Sequence, residues 1–246
     1  DNFIKKNRIT SVINCAAYTN VDRAELETEK AKKVNITGVI NIVNALKNVN
    51  GRLIHISTDY VFDGQKKTPY IESDDTKPLG VYGYTKRQGE LAIINSDIDA
   101  IIIRTSWLYS SYGNNFVKTM FKLGESSNVM NIIYDQLSTP TYARDLASVC
   151  LEIISNKTKE KISANGKIYH YSNEGIASWY DFAIAVMNIG EINCLVKPIQ
   201  TKDYKTEAIR PPFSVLDKSK IKKDFKIEIA EWKTALTDCI STLKNK

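Results

Sequence analysis

The stretch Arg52-Leu53-Ile54-His55-Ile56-Ser57 decides the fold. It is a short, mainly apolar run, and Thr58-Asp59 places polar groups at its C-terminal end. A helix is expected to open near Tyr82 and to run to about Asn95. Ala100-Ile101-Ile102-Ile103-Arg104 then repeats the apolar run without polar alternation, the pattern of a strand buried on both faces. Upstream, Val12-Ile13-Asn14-Cys15-Ala16-Ala17 is another such strand, followed by a helical stretch from about Asp22 to Lys47. Strands alternating with helices imply an α/β fold with a parallel, doubly wound sheet and right-handed crossovers. In open sheets of this kind, ligands bind outside the carboxyl ends of the strands.

After Trp107 the pattern changes. Helices are expected over Asn114–Leu123 and Asp145–Ser155, separated by the loop Asp135-Gln136-Leu137-Ser138-Thr139-Pro140. A short strand at Lys167–Tyr171 precedes a helix from Ser178, whose hydroxyl suits an N-cap. A loop surrounds Arg210-Pro211-Pro212, and Glu231–Leu243 reads as a closing helix. The chain thus divides into a dinucleotide-binding part, residues 1–132, and a smaller α+β substrate-binding lobe, mainly residues 133–246 and interleaved with the first.

Composition narrows the classes of function. With 43% hydrophobic and 25% charged residues the chain is an ordinary globular protein, and no apolar run approaches the ~20 residues of a membrane span. Four widely spaced cysteines contain no CxxC pair, and two histidines are few for a metal site, so a reducing cytoplasm is the natural compartment. The net charge of +6 suits an anionic substrate. Its densest basic cluster, residues 218–223, lacks interleaved aromatics and reads as a solvated helix face, which argues against nucleic acid.

The first residues resemble a helix end leading straight into a buried strand. None of the 11 glycines forms a G-x-G-x-x-G or G-x-x-G-x-x-G fingerprint. A dinucleotide fold uses such a turn to seat a pyrophosphate on a helix N-terminus. A front βαβ unit of roughly 30 to 50 residues is therefore expected to be absent from this chain.

The chemistry centres on Tyr82 and Lys86. Four residues apart, they share a helix face at the start of the helix that follows Thr58-Asp59. Such a spacing is weak alone in a chain with 13 tyrosines; its setting raises it. Reducing a ketone requires a hydride at carbon and a proton at oxygen, and Tyr82 is placed to be the acid. Free tyrosine titrates near about 10, so a neighbouring cation is expected to bring it down. At about 4 Å and an effective dielectric near 20, Lys86 would supply ~4 kcal/mol, an upper figure of roughly three pKa units.

Cys15-Ala16-Ala17-Tyr18-Thr19-Asn20-Val21-Asp22, Ser57-Thr58-Asp59-Tyr60-Val61-Phe62-Asp63-Gly64 and Val81-Tyr82-Gly83-Tyr84-Thr85-Lys86 together resemble motifs of the dTDP-4-dehydrorhamnose reductases, extended short-chain dehydrogenases. Arg104-Thr105-Ser106-Trp107-Leu108-Tyr109, Gly113-Asn114-Asn115-Phe116 and Arg210-Pro211-Pro212-Phe213-Ser214-Val215-Leu216-Asp217 extend the likeness along the whole chain. The octet from Ser57 is the specific one, whereas Tyr-x-x-x-Lys belongs to the whole superfamily. The chain departs from the family in lacking the glycine-rich amino-terminal motif and in carrying Phe213 where a polar residue is common.

The resemblance implies a Rossmann-like fold and reduction of the 4-keto group of dTDP-4-dehydro-L-rhamnose to dTDP-L-rhamnose. The cofactor would be NADPH or NADH. The resemblance also admits a Mg2+ ion and a homodimer. Catalysis would rest on Tyr82, Lys86 and Thr58, with Thr58 bonding the carbonyl oxygen or tuning Tyr82. Lys86 would also hold the nicotinamide ribose, with Ala16, Ala17 and Tyr18 walling the cofactor. Asp59 would meet a sugar hydroxyl, Trp107 would pack on the sugar ring and Arg210 would grip the diphosphate. Plainer roles compete: a turn former at Asp59, core packing at Ala16, Ala17 and Trp107, a surface arginine at 210. An epimerase or dehydratase is a second enzymatic reading, although no Asp-Glu pair follows Thr58. A non-catalytic regulatory protein of the same fold, like the regulatory subunit of methionine adenosyltransferase, is a third.

Overall fold

Ile101, Ile102 and Ile103 are all 0% exposed, because helices cover both faces of the strand that carries them. The computed structural model describes residues 1–155 and 167–245. Four strands, β1 (Ser11–Asn14), β2 (Arg52–Thr58), β3 (Asp99–Thr105) and β5 (Lys167–His170), form a parallel sheet in the order β1-β2-β3-β5. The register sets Thr58 beside Thr105, so the polar carboxyl ends of β2 and β3 finish level. A smaller parallel pair, β4 (Val129–Ile133) with β6 (Leu195–Ile199), lies in the later half of the chain.

Alternation along the strands sorts the core into two layers. Leu53, Ala100 and Ile102 pack beneath Val39, Val43 and Leu46 of α2 (Gly38–Lys47) and Ile93 of α3 (Val81–Ile94). Ile54, Ile101 and Ile103 face the other way, onto Leu146, Val149 and Ile153 of α5 (Ala143–Ser155). A third cluster draws on both halves of the chain. It joins Val117 and Met120 of α4 (Phe116–Ser126), Phe182 and Val186 of α6 (Trp179–Gly190), and Leu236 and Ile240 of α7 (Trp232–Lys244). Ser178 caps α6 through a reciprocal capping box with Asp181.

The helical stretch expected over residues 22–47 is interrupted. A first helix, α1 (Val21–Leu26), stops at Glu27, and a π-helical turn at Lys33–Thr37 leads into α2. The interruption has a local purpose. Within the π turn, buried Asn35 accepts from the Tyr18 amide (2.8 Å) and donates to the Tyr18 carbonyl and to Thr85 Oγ1 (3.0 Å). One side chain thereby ties the loop after β1 to α3.

Sheet and α3 are locked by a buried ion pair. Glu90, 0% exposed, accepts from Arg104 Nε (2.9 Å) and Nη2 (2.8 Å), from Ser57 Oγ (2.6 Å) and from Arg87 (2.9 Å). Burial pushes the carboxyl up, but Arg104, Ser57 and Arg87 outweigh it and hold Glu90 below its ordinary 4.5. Its contribution to stability is therefore present above 4.5 and is lost as pH falls through the lowered value. Removing one partner of a buried pair is expensive, since the survivor keeps its desolvation cost. Arg104→Met is expected to cost about 3–5 kcal/mol in urea denaturation at neutral pH, and an unshifted midpoint would contradict this account of the lock.

Candidate active site

The site forms where β2 and β3 end. Beyond Thr58 the chain enters a 3-10 turn, Asp59–Val61, capped by Thr58 Oγ1 accepting from the Tyr60 amide (3.2 Å). Thr58 also donates to Asp59 Oδ1 (3.1 Å), and Ser214 donates to Asp59 Oδ2 (2.5 Å). The late loop is thus pinned to the strand end through a carboxylate. Burial pushes Asp59 up to about 7 against the lowering hydrogen bonds from Ser214 and Thr58.

Helix α3 presents Tyr82 in its first turn and Lys86 one turn later. Its exposed amide at Val81 is met by Glu25 Oε1 of α1 at 2.8 Å, a cap supplied from another helix. Gly83, between the two functional residues, lies against the 3-10 turn: a Cβ there would stand 2.1 Å from the Tyr60 carbonyl oxygen. Only glycine permits that approach, and it brings the Tyr82 and Tyr60 rings edge to face at 5.7 Å.

Lys86 is 2% exposed and donates to the Ile56 carbonyl at 2.6 Å, with His55 Nε2 at 3.4 Å. Burial pulls its amine down to about 8, while Glu90 and Cys15 act in the opposite sense. Tyr82 behaves contrary to expectation. Burial pushes its phenol up to about 12, a hydrogen bond from Thr58 lowers it and the Asp59 charge raises it. The cation four residues away does not bring the phenol down, because burial acts on it more strongly.

One cavity of about 410 Å³ collects these groups. Thr58, Asp59, Tyr82 and Lys86 line it with Ala17 and Trp107. Trp107 holds a left-handed backbone (φ 45°), and its ring stacks on Trp179 at 3.6 Å and 12°. Trp179 is fixed by donating Nε1–H to Gln136 Oε1 (3.2 Å). Trp179, Cys15, Thr19, Thr105, Ser106 and Asn114 also line the cavity, and sequence reasoning did not single them out. An aromatic directly after the Ser178 cap was the one available signal for Trp179. A larger groove of about 730 Å³ runs between Gly175, α6 and the start of α7, but its Asp181 is committed to the helix cap.

Three expected contacts lie elsewhere. Arg210 does not line the cavity; its guanidinium donates to both carboxylate oxygens of Asp22 (3.1 and 2.6 Å). Tyr18 turns its hydroxyl to Glu27, and Ala16 is exposed outside the cavity lining, its amide bound to Asn14 Oδ1 (3.1 Å).

Residues 1–245 match the family model described as the RmlD substrate binding domain. The chain belongs to this RmlD family. It is 43% identical over 231 residues to a dTDP-4-dehydrorhamnose reductase of Aggregatibacter actinomycetemcomitans, covering 92% of this chain and 78% of that protein. The crystal structure of a dTDP-4-dehydrorhamnose reductase from Clostridium acetobutylicum superposes with a TM-score of 0.92 at 38% identity, covering 99% of this chain and 84% of that one. The Bacillus anthracis dTDP-4-dehydrorhamnose reductase, solved in complex with NADP, gives 0.92 at 33% identity, covering 98% and 83%. The α/β fold with its parallel, Rossmann-like sheet is that of the RmlD family.

The cavity residues of this RmlD-family chain fit the reacting end of a nicotinamide cofactor. Small Ala17 and the buried Lys86 amine face a space bounded by the Tyr82 phenol. Among the described residues no three His, Cys, Asp or Glu side chains converge as a metal site. If Gly83 sets the distance between the 3-10 turn and α3, Gly83→Ala will displace Tyr82. Turnover is expected to fall about 100-fold with the circular dichroism spectrum retained; wild-type turnover would remove Gly83 from the site's construction.

Proposed function

We propose that this protein reduces the 4-keto group of dTDP-4-dehydro-L-rhamnose to dTDP-L-rhamnose for polysaccharide biosynthesis, using NADPH or NADH. The convergence of Tyr82, Lys86 and Thr58 on one cavity, in a chain of the RmlD family, carries this reading. The NADP held by the Bacillus anthracis relative favours NADPH. A net charge of +6 suits a diphosphate-linked sugar. Residues 1–132 would then seat the cofactor, and residues 133–246 would supply most of the substrate lobe.

When bound, the reduced nicotinamide supplies the hydride to C4. The protein's own residues handle the proton. Tyr82, pushed up to about 12, is loaded with its proton throughout the neutral range. It donates that proton to the oxygen as negative charge develops there. Thr58, which lines the cavity beside Tyr82, would turn its hydroxyl from Asp59 to steady the phenolate that forms. Lys86 contributes positive charge below about 8. The stacked Trp107 and Trp179 rings offer a flat apolar wall for the deoxysugar, and Asp59 faces its hydroxyls. A homodimer in a reducing cytoplasm accords with this reading, and Cys15, Cys150, Cys194 and Cys239 form no disulfide among the described residues.

Loss of absorbance by the reduced cofactor, followed with dTDP-4-dehydrorhamnose, tests the assignment. Tyr82→Phe is expected to lower turnover by about 100- to 10,000-fold, the usual worth of a general acid. Full activity without the phenol would refute it. Because Lys86 carries its proton only below about 8, kcat/KM should fall as pH rises through that value; a flat profile to pH about 10 would argue against a charged Lys86.

A further inference from the structure

His55 is wholly buried on β2, and the mechanism above gives it no task. Its Nδ1 lies 3.0 Å from Asn14 Nδ2. The amide of Asn14 is itself oriented, because Asn14 Oδ1 accepts the Ala16 backbone N–H at 3.1 Å. Nδ2 therefore faces the ring as a donor, and Nδ1 must accept. A buried imidazole accepting at Nδ1 is neutral and carries its hydrogen on Nε2. Burial, with the charge of Lys86 second, holds His55 well below its ordinary value, in agreement with a neutral ring.

Nε2 points at Lys86 Nζ, 3.4 Å away. An ammonium has three donors and no acceptor, so it cannot accept from Nε2–H; a neutral amine can. We propose that His55, locked by Asn14 in its Nε2–H tautomer, is the positioning residue that tunes Lys86 for the reduction. This inference rests on the reductase reading. Lys86 is still held by the Ile56 carbonyl, which fixes where the amine sits while His55 biases its protonation. The other ionisable groups around it are Cys15 after β1, Tyr82 and Glu90 on its own helix, Asp59 beyond β2, and Arg104 of β3 behind Glu90. Glu90 and Cys15 favour the ammonium and burial opposes it; the His55 donor is the added influence on burial's side.

Nitrogen-15 NMR of the intact protein reads the imidazole tautomer directly. Hydrogen on Nε2 is expected, and hydrogen on Nδ1 would overturn the proposal without any variant. Asn14→Asp, nearly isosteric, replaces the donor by an acceptor; the ring then carries its hydrogen on Nδ1 and offers Nε2 as an acceptor to the ammonium. The lysine Nζ resonance missing from Lys86→Arg identifies Lys86. Its titration midpoint and the alkaline fall of kcat/KM should both move up by about one pH unit in Asn14→Asp. His55→Leu, which adds no charge, should move both the same way. A folded Asn14→Asp protein with an unmoved Lys86 midpoint would reduce His55 to packing. Tautomer and midpoint are measured without turnover, so a protein that shows both shifts but reduces no sugar nucleotide would sink the reductase reading alone.

Discussion

The carboxylate of Glu90 and the guanidinium of Arg104, sealed from water between α3 and β3, hold the rest of the site in register. A buried pair of this kind is weak evidence for net stability, because desolvation consumes most of the attraction. Its value here is geometric. Two parallel hydrogen bonds from Arg104 leave α3 one rotation about its axis, and Ser57 adds the end of β2 to the same carboxylate. Lys86 and Tyr82 stand one and two turns before Glu90 on the same helix face. The angle at which phenol and amine enter the cavity is thus inherited from the core. Arg104 also rests over the Phe62 ring at 5.0 Å, which couples the pair to the segment after the 3-10 turn.

Around that lock, polar contacts tie loops far apart in sequence to the same spot. Asn35 joins the loop after β1 to α3, Glu25 caps α3, and Asp59 holds Ser214. Asp22 clamps Ala208 and Arg210. Each is short and partly or wholly buried, so each costs desolvation that only a well-fitted partner offsets. The result is a preorganised pocket in which the reacting groups reorient little as charge develops.

Burial then sets the chemistry. In water, a lysine four residues from a tyrosine would be the dominant influence on the phenol. Within this cavity the loss of hydration acts on both groups first, raising Tyr82 and lowering Lys86. A coulombic estimate from sequence spacing assumes that the ammonium is present and aimed at the phenol. The Nζ atom is instead bonded to the Ile56 carbonyl, and its strongest neighbours in charge are Glu90 and Cys15.

The sequence by itself determined the alternation of strands and helices: apolar runs at 52–57 and 100–104 read as strands, the second as one covered on both faces, and the polar Thr58 at a strand end marked the site. Tyr82 and Lys86 were legible because helical spacing is local, and Ser178 because a cap needs only its own neighbours. Tertiary structure decided what spacing cannot carry. Trp179 faces Trp107 across 72 residues of chain, and Arg210 is occupied by Asp22, 188 positions away. Asn35, within the π turn at Lys33–Thr37, bonds Tyr18 and Thr85 at once. Burial, partner identity and hydrogen-bond direction arise only when distant segments exclude water together, so the local pattern named the acid while the fold fixed its protonation.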